Sequence, residues 1–218
     1  MSPAFPLAVV VAGLQAAAAA PQSPSPWPLL ERAAAQYRAA TSLQSEFVQV
    51  IDNAMIGRFE SRGQLWQAGE SRLSMRFRDP PDEAIVADGT FLWVYTPSTT
   101  PKQVLRIALA KTPTYGVNVM SWILDRPKER YRASLLRSEE LAGHAVAVIG
   151  LDPIDLDLPF SAAVVWLDEK SALPRRVQLT ERNGNTRTIT LTAPRLNAAL
   201  PKGIFEFRTP GGVRIVDQ

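Results

Sequence analysis

The chain has 218 residues, of which 46% are hydrophobic and 21% are charged, and this balance suits one globular domain with a sizeable core. The net charge of +3 comes from Lys and Arg residues that are interleaved with Asp and Glu, which argues against a nucleic-acid-binding protein. The absence of cysteine excludes disulfides, thiolate metal sites and a cysteine nucleophile.

The first residues have the pattern of an export signal. Residues 1–20 hold an apolar run followed by small residues, with an Ala-x-Ala cleavage site at Ala18 to Ala20. No Lys or Arg precedes the run, so the alternative is an Ala-rich helix that belongs to the fold. Residues 21–28 are rich in Pro and Ser and are predicted to be a linker before a single domain at 29–218. We therefore expect an exported protein.

A helix is predicted next, over residues 29–42. Leu30, Ala33, Ala34 and Tyr37 recur at spacings of three and four, which gives an amphipathic helix with one apolar stripe. That stripe must pack on another apolar surface.

The hydrophobic period then changes to two, which predicts strands. Asp88-Gly89 and Asn183-Gly184 are turn signals between such strands, and tight turns favour an antiparallel meander. The predicted strands are 45–52, 58–69, 71–79, 84–95 as a hairpin, 144–152, 161–170, 174–193 as a second hairpin, and 203–208.

One further helix is predicted within residues 112–126, before Pro127. It carries Val119, Trp122 and Ile123 on one side and is apolar nearly all round, so it belongs against the sheet. The expected fold class is mainly β with helices (α+β): a long, curled antiparallel sheet with helices on one side.

Nothing in the sequence assembles a reaction centre. His144 is the only histidine, so transition-metal sites and Cys/His pairs have no partners. Neither a nucleophilic serine motif nor a phosphate-binding loop is present. We expect no catalytic residue, no metal and no cofactor, and a binding protein rather than an enzyme.

Residues 63–97, "GQLWQAGESRLSMRFRDPPDEAIVADGTFLWVYTP", hold a Gly-x-Leu-Trp strand, an alternating strand and an Ile-Val-x-Asp-Gly hairpin. This stretch resembles the central signature of the LolA family, the periplasmic carriers of outer-membrane lipoproteins. Residues 37–49, "YRAATSLQSEFVQ", resemble the family's helix and first strand, and residues 205–218, "FEFRTPGGVRIVDQ", resemble its ending. Together they span nearly the whole predicted domain.

The resemblance implies an unclosed β-barrel, or half-barrel, with a helical lid over a hydrophobic cavity, as in LolA and LppX. It also implies a periplasmic chaperone that takes triacylated lipoproteins from an inner-membrane ABC transporter and delivers them to an outer-membrane receptor. We expect a monomer. Two alternatives stay open: a lipid or glycolipid binder of this fold, and a sensor of lipoproteins in an envelope-stress pathway.

The same resemblance predicts which side chains contact lipid. We expect helix 29–42 and segment 112–126 to be movable covers. Alternation places Leu73, Met75 and Phe77 on one face, which we assign inward. Alternation does not decide which face of 91–95 points inward. The predicted lipid-binding residues are Tyr37, Phe47, Trp66, Leu73, Met75, Phe77, Trp93, Tyr95, Val119, Trp122 and Ile123, with ordinary core packing as the alternative for each.

The chain departs from the family at one position. An Arg-Pro pair, whose Arg is thought to hold the lid shut, is replaced by Gly69-Glu70. Either Arg72 is the latch from a shifted position, or packing alone governs opening.

Overall fold

Twelve strands and three helices make up the part of the chain that the computed structural model describes, residues 24–109, 118–154 and 157–218. The predicted signal peptide and residues 21–23 of the predicted linker lie outside it. The helices are α1 (Trp27–Ala39), α2 (Val119–Leu124) and α3 (Pro127–Arg130). The strands are β1 (Leu43–Asn53), β2 (Gly57–Ala68), β3 (Arg72–Asp79), β4 (Pro81–Asp88), β5 (Phe91–Tyr95), β6 (Gln103–Ala108), β7 (Tyr131–Leu141), β8 (His144–Pro153), β9 (Phe160–Asp168), β10 (Pro174–Glu181), β11 (Thr186–Leu196) and β12 (Arg214–Asp217).

All twelve strands form one sheet in the order β12-β6-β5-β4-β3-β2-β1-β11-β10-β9-β8-β7. Neighbouring strands are antiparallel except β12, which lies parallel to β6. Strands β12 and β7 are the two edges, so the sheet does not close into a barrel. The predicted half-barrel of mainly β structure is confirmed.

The helices cover one face of this sheet, here called the inner face. Leu30 of α1 and Ile123 and Leu124 of α2 are almost fully buried against inward-facing side chains of the strands. One apolar cluster thus joins the helices to β1, β3, β8, β9, β10 and β11. Burial of this cluster provides most of the driving force for the fold, at about 25 cal/mol per Å² of apolar surface.

Gly63 in β2 lets two aromatic rings meet across a strand. Phe47 of β1 and Phe77 of β3 both pair with Gly63, and their ring centroids are 5.2 Å apart in an edge-to-face arrangement. A side chain at Gly63 has no room, because its Cβ would lie 2.1 Å from the carbonyl oxygen of Arg76. This glycine is therefore fixed by packing.

Several predicted boundaries need correction. Helix α1 begins at Trp27 and includes Pro28, so the predicted linker extends two residues too far. Residues 203–208 are not a strand: they belong to an irregular C-terminal crossover, residues 197–213, which lies on the outer face of the sheet. The alternating Phe side chains there pack on that face instead of extending the strand ladder.

Strands β6, β7 and β12 were not predicted from the sequence. β7 and β12 are edge strands, and largely exposed positions give them little apolar alternation to detect. The two predicted hairpins at Asp88-Gly89 and Asn183-Gly184 are confirmed, with Gly89 and Gly184 at φ +103° and +87°.

Candidate functional site

The inner face gathers seven of the side chains that were predicted to contact lipid. Each is at most 9% exposed, and all belong to the same apolar cluster. These residues are Phe47, Leu73, Met75, Phe77, Val119, Trp122 and Ile123. The inward assignment of β3 is thus confirmed, whereas contact with lipid stays a prediction.

Helix α1 lies across this face because of its apolar stripe. Leu30, Ala33 and Ala34 are buried, and Pro26 and Pro28 begin the helix. On its exposed side, the Arg32 guanidinium donates to the carbonyl oxygen of Glu169 at 2.6 Å. Only a few polar contacts therefore add to the apolar packing of α1.

Helix α2 is buried at every position except Ser121. Asn118 caps its N-terminus, since its side-chain oxygen accepts a hydrogen bond from the backbone N–H of Ser121 at 3.1 Å. The hydroxyl of Tyr131 donates to the carbonyl oxygen of Trp122 at 2.8 Å. The predicted all-round apolar helix is confirmed, and residues 112–117 of the predicted segment lie outside the described residues.

Hydrogen bonds at the Tyr37 hydroxyl link both helices to the sheet. The Tyr37 oxygen accepts a hydrogen bond from the side-chain amide of Gln67 on β2, and another from Asn118 Nδ2 at 2.9 Å. Burial raises the pKa of Tyr37 to about 12, although these two hydrogen bonds act in the opposite direction. The group is therefore neutral at physiological pH. We call these three residues the Tyr37 junction.

Sequence reasoning found only one member of this junction. Asn118 stands just before an apolar helix, which is the usual position of an N-cap. Gln67 is a polar residue on the same strand face as Leu65, which lies in the apolar cluster. Both signals were available in the sequence.

A cavity of about 250 Å³ adjoins the junction, which is just below the usual size of small-molecule pockets. It opens between the end of α1, α2 and the neighbouring ends of β1 and β2. Its lining is partly charged, with Arg38, Glu70 and Asp125, and Gly69 and Glu70 of the departure from the family pattern are among the lining residues. The remaining lining residues are Tyr37, Ala40, Ser42, Leu43, Gln67 and Ser121.

Arg72 does not lie at this site, so its assignment as the latch is wrong. Its guanidinium lies over the ring of Phe205 in the C-terminal crossover, 5.3 Å from the centroid. Adjacent residues in a strand point to opposite faces, and Leu73 points inward. Arg72 therefore contacts the outer face, whereas the helices lie on the inner face.

Trp93 and Tyr95 were expected inside and lie outside. Leu92 and Val94 of β5 pack with the inner cluster, so alternation turns Trp93 outward. Trp93 stacks on Phe207 at 5.5 Å, and Tyr95 lies 6.0 Å from the same ring. The second face of this strand thus holds the C-terminal crossover.

The prediction that Trp66 lies on the inner face is wrong for the same reason. Its neighbour Leu65 belongs to the inner cluster, so Trp66 points to the outer face, where it is 6% exposed. Tyr37 is half-buried at the rim of the inner face and packs against the cluster through its ring.

The site offers burial of apolar groups, with a polar rim. No group of three or more His, Cys, Asp or Glu side chains that could hold a metal ion occurs among the described residues. Within the same residues, no helix is long and apolar enough to span a bilayer. The single histidine, His144 on β8, has its Nδ1 2.9 Å from a carboxylate oxygen of Asp168 and lies five strands along the sheet from β2.

Comparisons with known proteins agree with this description. The family profile described as "Outer membrane lipoprotein carrier protein LolA" matches residues 38–208. An outer-membrane lipoprotein carrier protein of Chromobacterium violaceum is 29% identical over 222 residues, which cover 99% of this chain and 98% of the relative. A protein of the same name from Alkalilimnicola ehrlichii is 25% identical over 185 residues, or 83% of this chain and 80% of the relative.

A solved structure supports the fold. An uncharacterized conserved protein from Thermus thermophilus superposes with a TM-score of 0.53 at 12% identity. The match covers 88% of this chain and 98% of that protein. At this identity the likeness concerns the fold alone.

Proposed function

We propose, since this chain belongs to the LolA family of outer membrane lipoprotein carrier proteins, that it binds the acyl chains of lipoproteins beneath its helices and carries them through the periplasm. The finer proposal is that it receives triacylated lipoproteins from an inner-membrane ABC transporter and releases them to an outer-membrane receptor. We propose a role in binding and transfer, without catalysis.

The observation that carries the proposal is the composition of the inner face. Strands and helices from along the whole described chain contribute side chains to one apolar cluster. Yet α1 and α2 are tied to the sheet by few hydrogen bonds, chiefly at the Tyr37 junction, Arg32 and Tyr131. Apolar packing is non-directional, so acyl chains can replace the contacts that the helices make with the strands. A helix pair that moves outward would expose an apolar surface of the required kind.

The energetics explain why such a carrier is needed. At about 0.8 kcal/mol per buried CH₂, an acyl chain with roughly fifteen such groups costs about 12 kcal/mol to expose to water. Unaided transfer between membranes would be correspondingly slow. The helices that give up their own contacts on opening lower the net affinity, which makes release to a receptor possible.

Mass spectrometry of the protein isolated from its native host tests this proposal. We expect intact lipoproteins to copurify in a one-to-one complex. Free lipids or glycolipids alone would indicate the lipid-binder alternative. Absence of any acylated ligand, from cells in which lipoproteins are being released, would contradict carriage.

A further inference from the structure

The hairpin between β1 and β2 ends in an apolar tip formed by Met55, Ile56 and Phe59. Their exposed fractions are 93%, 69% and 49%. Only six large hydrophobic side chains of the described residues are exposed to a comparable degree, and half of them are in this one tip. Such clustering marks an interaction site, whereas single exposed apolar residues are ordinary.

Hydrogen bonds hold the tip in its conformation. The side-chain oxygen of Asn53 accepts from the backbone N–H of Met55 at 2.8 Å and from that of Ile56 at 3.1 Å. Gly57 follows at φ +94°, a conformation that favours glycine. The apolar side chains are therefore presented by an ordered turn.

On one side, the tip projects beyond its neighbouring strand, β3. The pairing of β2 with β3 ends at Arg62 and Asp79, so residues 57–61 have no partner strand on that side. Five residues correspond to a projection of roughly 16 Å. On the other side, β11 accompanies β1 as far as the pair of Asp52 and Thr186.

The neighbouring hairpin shows that an apolar tip is not required by the fold. The β10–β11 turn, residues 182–185, lies at the same end of the sheet and reads Arg-Asn-Gly-Asn. The two turns lie side by side, since Asp52 near the end of β1 pairs with Thr186 at the start of β11. The apolar side chains at Met55 and Ile56 thus need an explanation of their own.

The size and shape of the tip decide what it contacts. A stable protein interface buries about 800 Å² on each partner and uses some 20 to 30 residues, and a projecting tip of three apolar side chains supplies far less. A lipid bilayer needs no complementary surface and accepts a few apolar side chains at its interface. Arg58 lies between Ile56 and Phe59. Asp52 is its cross-strand neighbour, but the two form no ion pair, so the Arg58 guanidinium can contact anionic headgroups.

We infer that the β1–β2 tip inserts into the surface of a membrane that contains anionic phospholipid and docks the protein there transiently. This step goes beyond carriage, because a carrier that meets only protein partners does not need to touch a bilayer. The tip lies at the opposite end of β1 and β2 from the Tyr37 junction, ten residues or roughly 33 Å away. Docking therefore leaves the junction clear of the membrane.

Fluorescence from a single label at the tip tests insertion. Because the chain has no cysteine, Met55→Cys carries an environment-sensitive dye at one place only. The matched control is Leu136→Cys, an exposed apolar position on the edge strand β7. With vesicles of phosphatidylethanolamine and phosphatidylglycerol, we expect a blue shift at position 55 and none at 136. Unchanged emission at 55, or equal shifts at both positions, would overturn the inference.

Vesicle flotation with unlabelled protein gives an independent measure. The double variant Met55→Ser, Ile56→Ser should bind these vesicles at least about tenfold more weakly than the unaltered protein. Leu136→Ser should bind normally. Arg58→Gln should bind the anionic vesicles more weakly than the unaltered protein does, with no change in its binding to vesicles of uncharged phospholipid. Equal binding by the double variant would overturn the inference.

Sedimentation velocity tests the remaining alternative, in which the tip binds a second copy of the chain. If the tip instead pairs two copies of the chain, the unaltered protein sediments as a dimer and the double variant as a monomer, which would refute membrane docking. We expect monomers in both cases. These assays use protein without cargo, so a failure here leaves the copurification of lipoproteins as a separate test of carriage.

Discussion

Tyr37 is the residue at which α1, α2 and β2 are joined by polar contacts. Tyr37→Phe keeps the ring and removes the oxygen that accepts from Gln67 and Asn118. Two hydrogen bonds at about 0.5–1.5 kcal/mol each predict that the helices open between about fivefold and about 150-fold more often. Hydrogen exchange of the α1 and α2 amides measures this, and Tyr95→Phe on the outer face is the control. Unchanged exchange in α1 would show that the Tyr37 hydroxyl does not hold the helices on the sheet.

The Tyr37 junction also predicts a pH dependence. The pKa is raised from 10.0 to about 12, so the fold favours the neutral hydroxyl. The contribution to stability is present in full below pH 10 and is lost as the pH rises through 12. The difference in unfolding free energy between the unaltered protein and Tyr37→Phe should be constant from about pH 6 to about pH 9 and should shrink above pH 10. A difference that changes near neutrality would contradict a junction of uncharged groups.

Gly63 supports the inner face in a way that burial alone does not reveal. In Gly63→Ala the new Cβ would lie 2.1 Å from Arg76 O and 2.8 Å from Phe77 Cα, so β2 and β3 must separate. We expect a loss of more than about 2 kcal/mol in the free energy of unfolding. Gly211→Ala, where nothing lies within 4 Å, is the control. Denaturant unfolding with equal midpoints for the two variants would show that the strands adapt freely.

At the scale of elements, the C-terminal crossover accounts for the outward-facing aromatic residues of β5. Phe207 stacks on Trp93, and the guanidinium of Arg76 donates to the carbonyl oxygen of Glu206 at 2.8 Å. We therefore assign to the crossover a role in stability, separate from the binding of acyl chains.

Phe207→Ala tests this separation. We expect a loss of about 1–3 kcal/mol in unfolding free energy and an unchanged affinity for acylated peptides. Val119→Ala, which removes apolar contact on the inner face, should weaken that affinity. Titration with a fluorescent lipopeptide compares the two. An equal loss of affinity in both variants would mean that the two faces are not independent.

The sequence predicted elements with strong local patterns and missed those that depend on distant contacts. Alternation in β3 and the spacing in α1 identified their buried faces correctly, because the other face of each carries polar side chains. In β5 both faces are apolar, so alternation does not show which face the helices cover and which face the C-terminal crossover covers. The choice of Trp93 and Tyr95 rested on resemblance, whereas Leu92 and Val94 are the inward residues.

The latch shows the same limit. Arg72 was predicted as the latch because it is the arginine nearest to the position of the family's Arg-Pro pair. Its charge gives no information about which face of the strand its side chain occupies. The groups at the junction are uncharged, and they come from three separate parts of the chain. Their meeting depends on where α1 crosses the sheet, which local periodicity does not determine.

At the scale of the whole molecule, the half-barrel combines a rigid sheet with helices that lie on it. Strand ladders run through all twelve strands, whereas α1 and α2 depend on apolar packing, the Tyr37 junction and the hydrogen bonds of Arg32 and Tyr131. The elements that the proposed function requires to move are thus the ones with the fewest directional contacts. The apolar cluster closes the inner face in this structure, and in the proposed function acyl chains would take the place of helix side chains.

Photo-crosslinking from the chain's own methionines tests this central claim most directly. Met75 and Met120 lie in the inner cluster, and Met55 is at the exposed tip. Replacement of methionine by its diazirine analogue alters these positions little, and irradiation in the presence of a triacylated lipopeptide labels whatever the acyl chains touch. The account predicts acyl adducts at Met75 and Met120, and their loss when an unlabelled lipopeptide competes. Adducts confined to Met55, with none at the two inner positions, would contradict binding beneath the helices.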